Sequence, residues 1–390
     1  MIITIIVFAL VLSVIVFVHE LGHFSTARKL GVKVDEFGLG LPPRIFGLRK
    51  IDGKFKLVFG KKPIEKDGPT IYSLNWIPVG GFVKIKGESG EEAEASDSFA
   101  GKAIWKRVVM IVAGVVMNVI LCMILLSIGF GFGMPASLDD NLSSRAIVSN
   151  KSLQIIQLMP EGQAKIAGVQ VGDVIAKVDG REFETISELN TFLSSNNDKE
   201  LNFEFIRRGE AIEKKIKISP YSFEEREVIG IGIGLIETAT VRYPWYLAVY
   251  KGIVATFVWM LAIVVAFATV IKNLIIGVPT GVEVAGPVGI AVLTGQAAKM
   301  GVIYLLQFTA LLSLNLAIIN ILPFPALDGG RLLFLILEKI RGKAVKQEWE
   351  NLAHNIGFLI LMGLVLLVTF GDIVKYGGGL FGFIKNIFGL

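Results

Sequence analysis

Val18-His19-Glu20-Leu21-Gly22-His23 sets two imidazoles and a carboxylate into an otherwise apolar N-terminal segment, and the fold follows from that placement. No charged residue occurs from Ile2 to Val18, and the apolar run continues through Phe24 to Ala27. Residues 1–30 are therefore expected to form one membrane-spanning helix. The segment has neither a basic leader nor a small-residue cleavage site, and it carries chemistry, so a retained span is expected rather than a signal peptide. On a helix His19 and His23 are i and i+4 and share a face, with Glu20 beside them. Two neutral imidazoles can bind Zn²⁺ and leave room for water, and a neighbouring carboxylate can take a proton from that water. Burying three ionisable groups in a membrane segment is costly, which argues against an ornamental occurrence. A third ligand must come from elsewhere.

The chain has 390 residues, 53% of them hydrophobic, and a mean hydropathy of +0.64. That is too apolar for an ordinary soluble enzyme, yet enough polar sequence remains for one folded insert. The single cysteine, Cys122, lies in an apolar run and is expected to be a packing residue, with no intramolecular disulfide. The net charge of +5 reflects loop topology, and no nucleic-acid partner is expected.

Arg28 to Arg107 holds sixteen Lys or Arg residues against ten acids, which places residues 31–107 on the cytoplasmic side. Lys54 to Phe59 alternates like a strand. Thr70 to Trp76 and Gly81 to Lys86 flank Pro78 to Gly81 like a hairpin. Its tip, Ile77, Pro78, Val79 and Phe82, is apolar, so the hairpin is either a soluble one or a loop embedded in the membrane that touches substrate. Glu88 to Ser98 reads as a mobile acidic surface loop. A second span covers 108–132.

Residues 146–237 form the soluble insert. Val174 to Val178 ends at the Asp179-Gly180 turn, Ser187 can cap a helix through Leu193, and Leu201 to Ile206 and Ile212 to Ile218 alternate around Arg208-Gly209. Residues 244–300 are membrane-associated, and 303–337 form a broken span. The basic residues Lys339, Arg341, Lys343 and Lys346 follow, then a last span at 356–370. If both basic loops are cytoplasmic, an even number of crossings separates them, so Pro244 to Ile271 should lie on or dip into the outer leaflet.

Within the broken span, Pro323 and Pro325 cannot continue a regular helix, so backbone opens at membrane depth. Asp328 follows the break as the only carboxylate between Lys299 and Glu338. It lies near the basic edge of Arg331 and Lys339, as His19 and His23 lie near Arg28 and Lys29. This similar depth marks Asp328 as the candidate third metal ligand; the alternative is that it pairs with Arg331 and caps the next helix. Gly329 and Gly330 allow close backbone approach. Asn320 either binds a substrate carbonyl or ties the broken backbone to a neighbouring helix.

Together these motifs resemble the site-2 proteases, intramembrane zinc metalloproteases, in the bacterial branch that includes the regulator of sigma-E protease. The resemblance covers nearly the whole chain. It rests on His19 to His23, Phe37-Gly38-Leu39-Gly40, Tyr72 to Lys84, Gly286-Pro287-Val288-Gly289-Ile290, and Asn320 to Gly330 with its N-x-x-P-x-P-x-L-D-G pattern. It implies a mostly α-helical polytopic membrane protein of about four transmembrane helices, with a membrane-associated β-hairpin and a β-rich extracytoplasmic PDZ-like domain. It also implies zinc held by His19, His23 and Asp328, Glu20 as general base, and Asn320 as an aid to substrate positioning; the β-loop at Gly81, Phe82 and Val83 is expected to pair with the unwound substrate. Met159 to Ala164 and Ala167 to Ile175 resemble part of PDZ domains, which bind extended peptides at a sheet edge; a rigid spacer or size filter is the alternative. The expected partners are transmembrane protein substrates, the lipid bilayer and a peptide ligand of the PDZ-like domain.

Two departures stand out. Ala113-Gly114-Val115-Val116-Met117-Asn118 is similar to the family's A-G-P-x-x-N, but Val115 replaces the proline. Only one PDZ-like unit fits the insert. The implied activity is cleavage of single-pass membrane proteins, such as anti-sigma factors or signal-peptide remnants, at the bacterial cytoplasmic membrane. The competing classes are a catalytically silent PDZ-bearing scaffold or sensor and a metal transporter; the latter would need ligands spread over several spans.

Overall fold

A computed structural model describes residues 2–51, 53–60, 68–88, 90, 95–138, 145–159, 162–207, 209–223, 226–277 and 285–388. Pro160 and Glu161 of the PDZ-like motif, Arg208 of the expected turn, the side chain of Val79, and much of the acidic stretch 88–98 lie outside the described residues. The chain divides into two compact units, residues 1–126, 252–298 and 308–390 in the first, and 127–251 with 299–307 in the second.

The chain opens with α1 (Ile2–Lys29), apolar until the motif and ending in Arg28 and Lys29, which complement the helix C-terminus. Three strands follow: β1 (Val34–Ile51), β2 (Lys54–Phe59) and β3 (Ile71–Ile85), in the order β2-β1-β3. The expected hairpin at 70–86 is instead one bent strand. Both halves of β3 pair with β1, Gly81 to Ile85 opposite Leu39 to Val34 and Tyr72 to Ile77 opposite Leu48 to Leu41. Gly40 and Gly80 take left-handed φ values of 79° and 78°, which lets both strands bend together without a turn. Then α2 (Ile104–Phe132) runs without interruption through Val115.

The second unit is built on β4 (Met134–Ser137), β5 (Ile147–Leu158), α3 (Gln163–Ile166), β6 (Val174–Val178), α4 (Ile186–Ser194), β7 (Glu200–Arg207), β8 (Glu210–Lys217), β9 (Ser219–Phe223), β10 (Arg226–Gly230) and β11 (Ile233–Arg242). Six of these strands form a sheet in the order β4-β11-β5-β6-β7-β8. The sheet reaches beyond 146–237, because β4 pairs with β11 as far as Val241. Its core buries the apolar side chains Leu153, Ile155, Val178, Leu189, Phe203 and Phe205. The cap of α4 is Thr185, whose hydroxyl accepts from the amide of Glu188. Ser187 falls within the helix, so its expected capping role is corrected: Thr185 has the extended backbone that a cap needs.

The chain closes with α5 (Trp245–Ile276), α6 (Pro287–Met300), α7 (Val302–Ile321), α8 (Asp328–Arg341) and α9 (Gln347–Phe388). Among the described residues, five helices are long and apolar enough to cross a membrane: α1, α2, α5, α7 and the first 28 residues of α9. Cys122 is fully buried and receives the Thr256 hydroxyl, a packing residue as expected. On the first unit's polar edge, Arg107 at the start of α2 makes a two-pronged ion pair with Glu338 of α8, at 2.6 and 3.0 Å. Arg331 pairs with Glu88.

Candidate metal centre

Three elements bring the site together. Helix α1 presents His19 and His23, both buried, one turn apart. The break between α7 and α8 presents Asp328 as the first residue of α8, with Leu327 at the cap position and no side-chain capping bond. Arg331 is engaged by Glu88, so the alternative of an Asp328–Arg331 pair that caps the helix gains no support. His19 Nε2 lies 3.1 Å from His23 Nε2. Asp328 Oδ2 lies 3.1 Å from His19 Nε2 and 3.4 Å from His23 Nε2. Ligands about 2.1 Å from a tetrahedral zinc stand about 3.4 Å apart, so the three donors fit that ion. Asp328 Oδ2 is buried without a hydrogen-bond partner, as an oxygen reserved for a cation would be.

The second ring nitrogen of His23 favours the same assignment. His23 Nδ1 lies 2.9 Å from the carbonyl of Met110 on α2, which can only accept, so Nδ1 carries the proton and Nε2 is left free for metal. His19 Nδ1 lies 3.3 Å from the amide of Asn118, also on α2 and fully buried. The main-chain carbonyl of Asn118 accepts from the Ser313 hydroxyl of α7 at 2.9 Å, tying the second helix of the site to the third.

Close crossing of α1 and α2 is made possible by two glycines. A Cβ on Gly22 would overlap the carbonyl of Ala113, and a Cβ on Gly114 would overlap His23 Nε2 and lie 2.8 Å from His19 Nε2. Only hydrogen at these positions leaves the imidazoles room. The stretch Ala113 to Asn118, which has no evident role in the sequence alone, thus lies beside the histidines through Gly114 and Asn118.

Asn320, near the end of α7, places its amide 3.4 Å from His19 Nε2 of α1, beside the three donors. Glu20 follows His19 on α1, and a Cβ on Gly81 would lie 3.9 Å from its Cγ. The other two β-loop candidates point elsewhere. Phe82 covers Gly38, and Val83 packs on the apolar cluster of Ala27, Val34, Ile85 and Leu335. Tyr72, Leu74, Trp76 and Ile77 of β3 are exposed apolar residues on an edge strand.

Comparison with known proteins places these residues in context. The model of peptidase family M50 matches residues 7–364. A putative zinc metalloprotease of Clostridium perfringens is 32% identical, over 95% of this chain and 98% of its own. The zinc metalloprotease RasP of Geobacillus kaustophilus is 29% identical, over 96% of this chain and 98% of its own. The regulator of sigma-W protease RasP of Bacillus subtilis is 28% identical, over 95% and 98%. Among solved structures, the PDZ domain of an SdrC-like protein from Listeria monocytogenes aligns with 23% of this chain and 92% of its own, at 19% identity and a TM-score of 0.21.

Proposed function

The chain belongs to peptidase family M50, the zinc metalloproteases among which the site-2 proteases fall, and from that premise we propose that it cuts single-pass membrane proteins within or near their membrane segment. The observation that carries the reading is the convergence of His19, His23 and Asp328, with donor atoms all within 4.8 Å, on a helix face that also holds Glu20. His19 and His23 from α1 and Asp328 from α8 would hold zinc. When bound, zinc supplies the Lewis acidity that acidifies a water and polarises a carbonyl. Glu20 accepts the proton of that water and passes it to the leaving amine. The amide of Asn320 donates to the substrate carbonyl as negative charge develops on it. A substrate helix must first unwind to expose a carbonyl, and pairing of the extended segment with the free edge of β3 near Gly81 stabilises that form.

We place the site toward the cytoplasmic face of a bacterial inner membrane, with the β-rich insert, read as PDZ-like, outside. The Arg107–Glu338 pair supports this topology, because it joins residues at the ends of the two basic loops, and loops that share a side are separated by an even number of crossings. With α2 and α7 crossing, α5 then enters the membrane without passing fully through, leaving four transmembrane helices.

The test uses the full chain in lipid with a single-pass substrate and a chelator control. Glu20→Gln should keep zinc at wild-type stoichiometry and lose cleavage; cleavage retained by that variant would remove Glu20 from the mechanism.

A further inference from the structure

The loop between α7 and α8 carries a backbone that the chain must hold in place. Pro323 and Pro325 have no N–H, while Leu322, Phe324 and Leu327 donate to carbonyls within the loop or the end of α7. Ala326 differs. It stands at a left-handed φ of 81° without being glycine, and its N–H donates to Nδ1 of His354 on α9 at 2.9 Å. One turn further along α9, Gly357 lies so close to Pro325 that a Cβ there would overlap the Pro325 carbonyl. Helix α9 thus turns one face, His354 and Gly357, onto Pro325 and Ala326, two residues before Asp328.

We propose that His354 is a positioning residue for the metal centre: by accepting the Ala326 N–H it holds the left-handed turn that aims Asp328 at His19 and His23. The inference rests on reading Asp328 as a zinc ligand. The Ala326 bond requires a bare Nδ1 and so puts the ring proton on Nε2, which is buried and finds no partner. A histidine kept only for packing would gain nothing from that arrangement, since an apolar ring would fill the space without leaving a polar atom unsatisfied. The ring lies 5.7 Å from that of Phe334, which limits its freedom to turn away. A backbone N–H in a strained loop needs an acceptor at one point in space, and Nδ1 supplies it.

The experiment measures zinc release to excess EDTA from the full chain in nanodiscs, followed by metal analysis below the melting temperature of every variant. His354→Asn keeps an acceptor where Nδ1 stands, whereas His354→Gln moves it to the place of Nε2. His354→Asn should release zinc within about twofold of the unsubstituted rate, and His354→Gln and His354→Leu about tenfold faster, the usual scale for a residue that orients a ligand. Ala326→Gly, which removes the steric objection to positive φ, should recover most of the loss when combined with His354→Gln. Equal release from the Asn and Gln variants, at either rate, overturns the proposal, and the Asn–Gln comparison remains decisive if His354→Leu does not fold. Absence of zinc from the unsubstituted protein would instead overturn the metal reading itself.

Discussion

The two units of this chain have opposite interiors. In the insert, the buried core is Leu153, Ile155, Leu189, Phe203, Phe205 and their neighbours, and Asp173 is its one buried polar side chain among the described residues, paired with Arg207 at 2.7 Å. In the first unit, His19, His23, Asn118, Thr256, Thr294, Ser313 and Asp372 are buried, while Ile2, Leu10, Val258 and Leu359 are exposed. Water drives the first arrangement by expelling apolar surface. Lipid removes that drive, so the second interior coheres through close backbone approach and hydrogen bonds between helices, and polar groups collect where they can satisfy one another. A reactive site in the membrane unit therefore belongs to its interior, and among the described residues the insert has no comparable cluster.

This difference can be broken by substitution. Gly114→Val puts a branched side chain where the imidazoles of His19 and His23 lie, and zinc affinity should fall by about a hundredfold, read by competition with a chelator. Zinc retained at full affinity would mean that the α1–α2 crossing opens readily. Phe203→Ala empties the insert core and should lower stability there by about 3–5 kcal/mol, seen as early melting of the β-sheet signal, with zinc content unchanged. Loss of zinc in that variant would show that the two interiors are not independent.

The smallest effect belongs to a charge pair on the water-facing edge of the first unit. Lys86 donates to both oxygens of Asp97 at 2.9 and 3.1 Å, and this bond holds the Asp97 carboxyl below the usual carboxylate range. A group depressed on folding contributes stability above its unfolded value of about 4 and loses it as pH falls through the lower folded value. Asp97→Asn should flatten the acid limb of the stability profile only slightly, because the Asp97 carboxylate is exposed to solvent. A large loss at neutral pH would mean that this edge bears weight the surrounding packing does not.

How far the sequence could be read follows the same division. His19, His23 and Asp328 stand out because ionisable residues in apolar runs are costly and few, and the two prolines announce the open backbone that Asp328 needs. The strands of the insert are legible from alternation at Leu201 to Ile206 and Ile212 to Ile218. Strand β1 is not, since Pro42, Pro43 and the glycines beside them read as loop, and its pairing with both halves of β3 depends on residues far apart in the chain. That is why 70–86 looks like a hairpin. The placement of Gly114 and Asn118 is hidden for another reason: their motif stands out, but in a helix apolar on every side nothing local says which face meets the histidines. His354, the third histidine, lies in a helix distant in sequence from every motif, and only the bond to Ala326 gives it a place.

One further consequence lies in the order of synthesis. His19 and Asn320 meet across 301 residues, so the ribosome delivers the two histidines long before the segment that completes their centre. A chain interrupted anywhere in between carries His19 and His23 without Asp328. On the proposed assignment, a growing chain has no complete centre until α8 has been made.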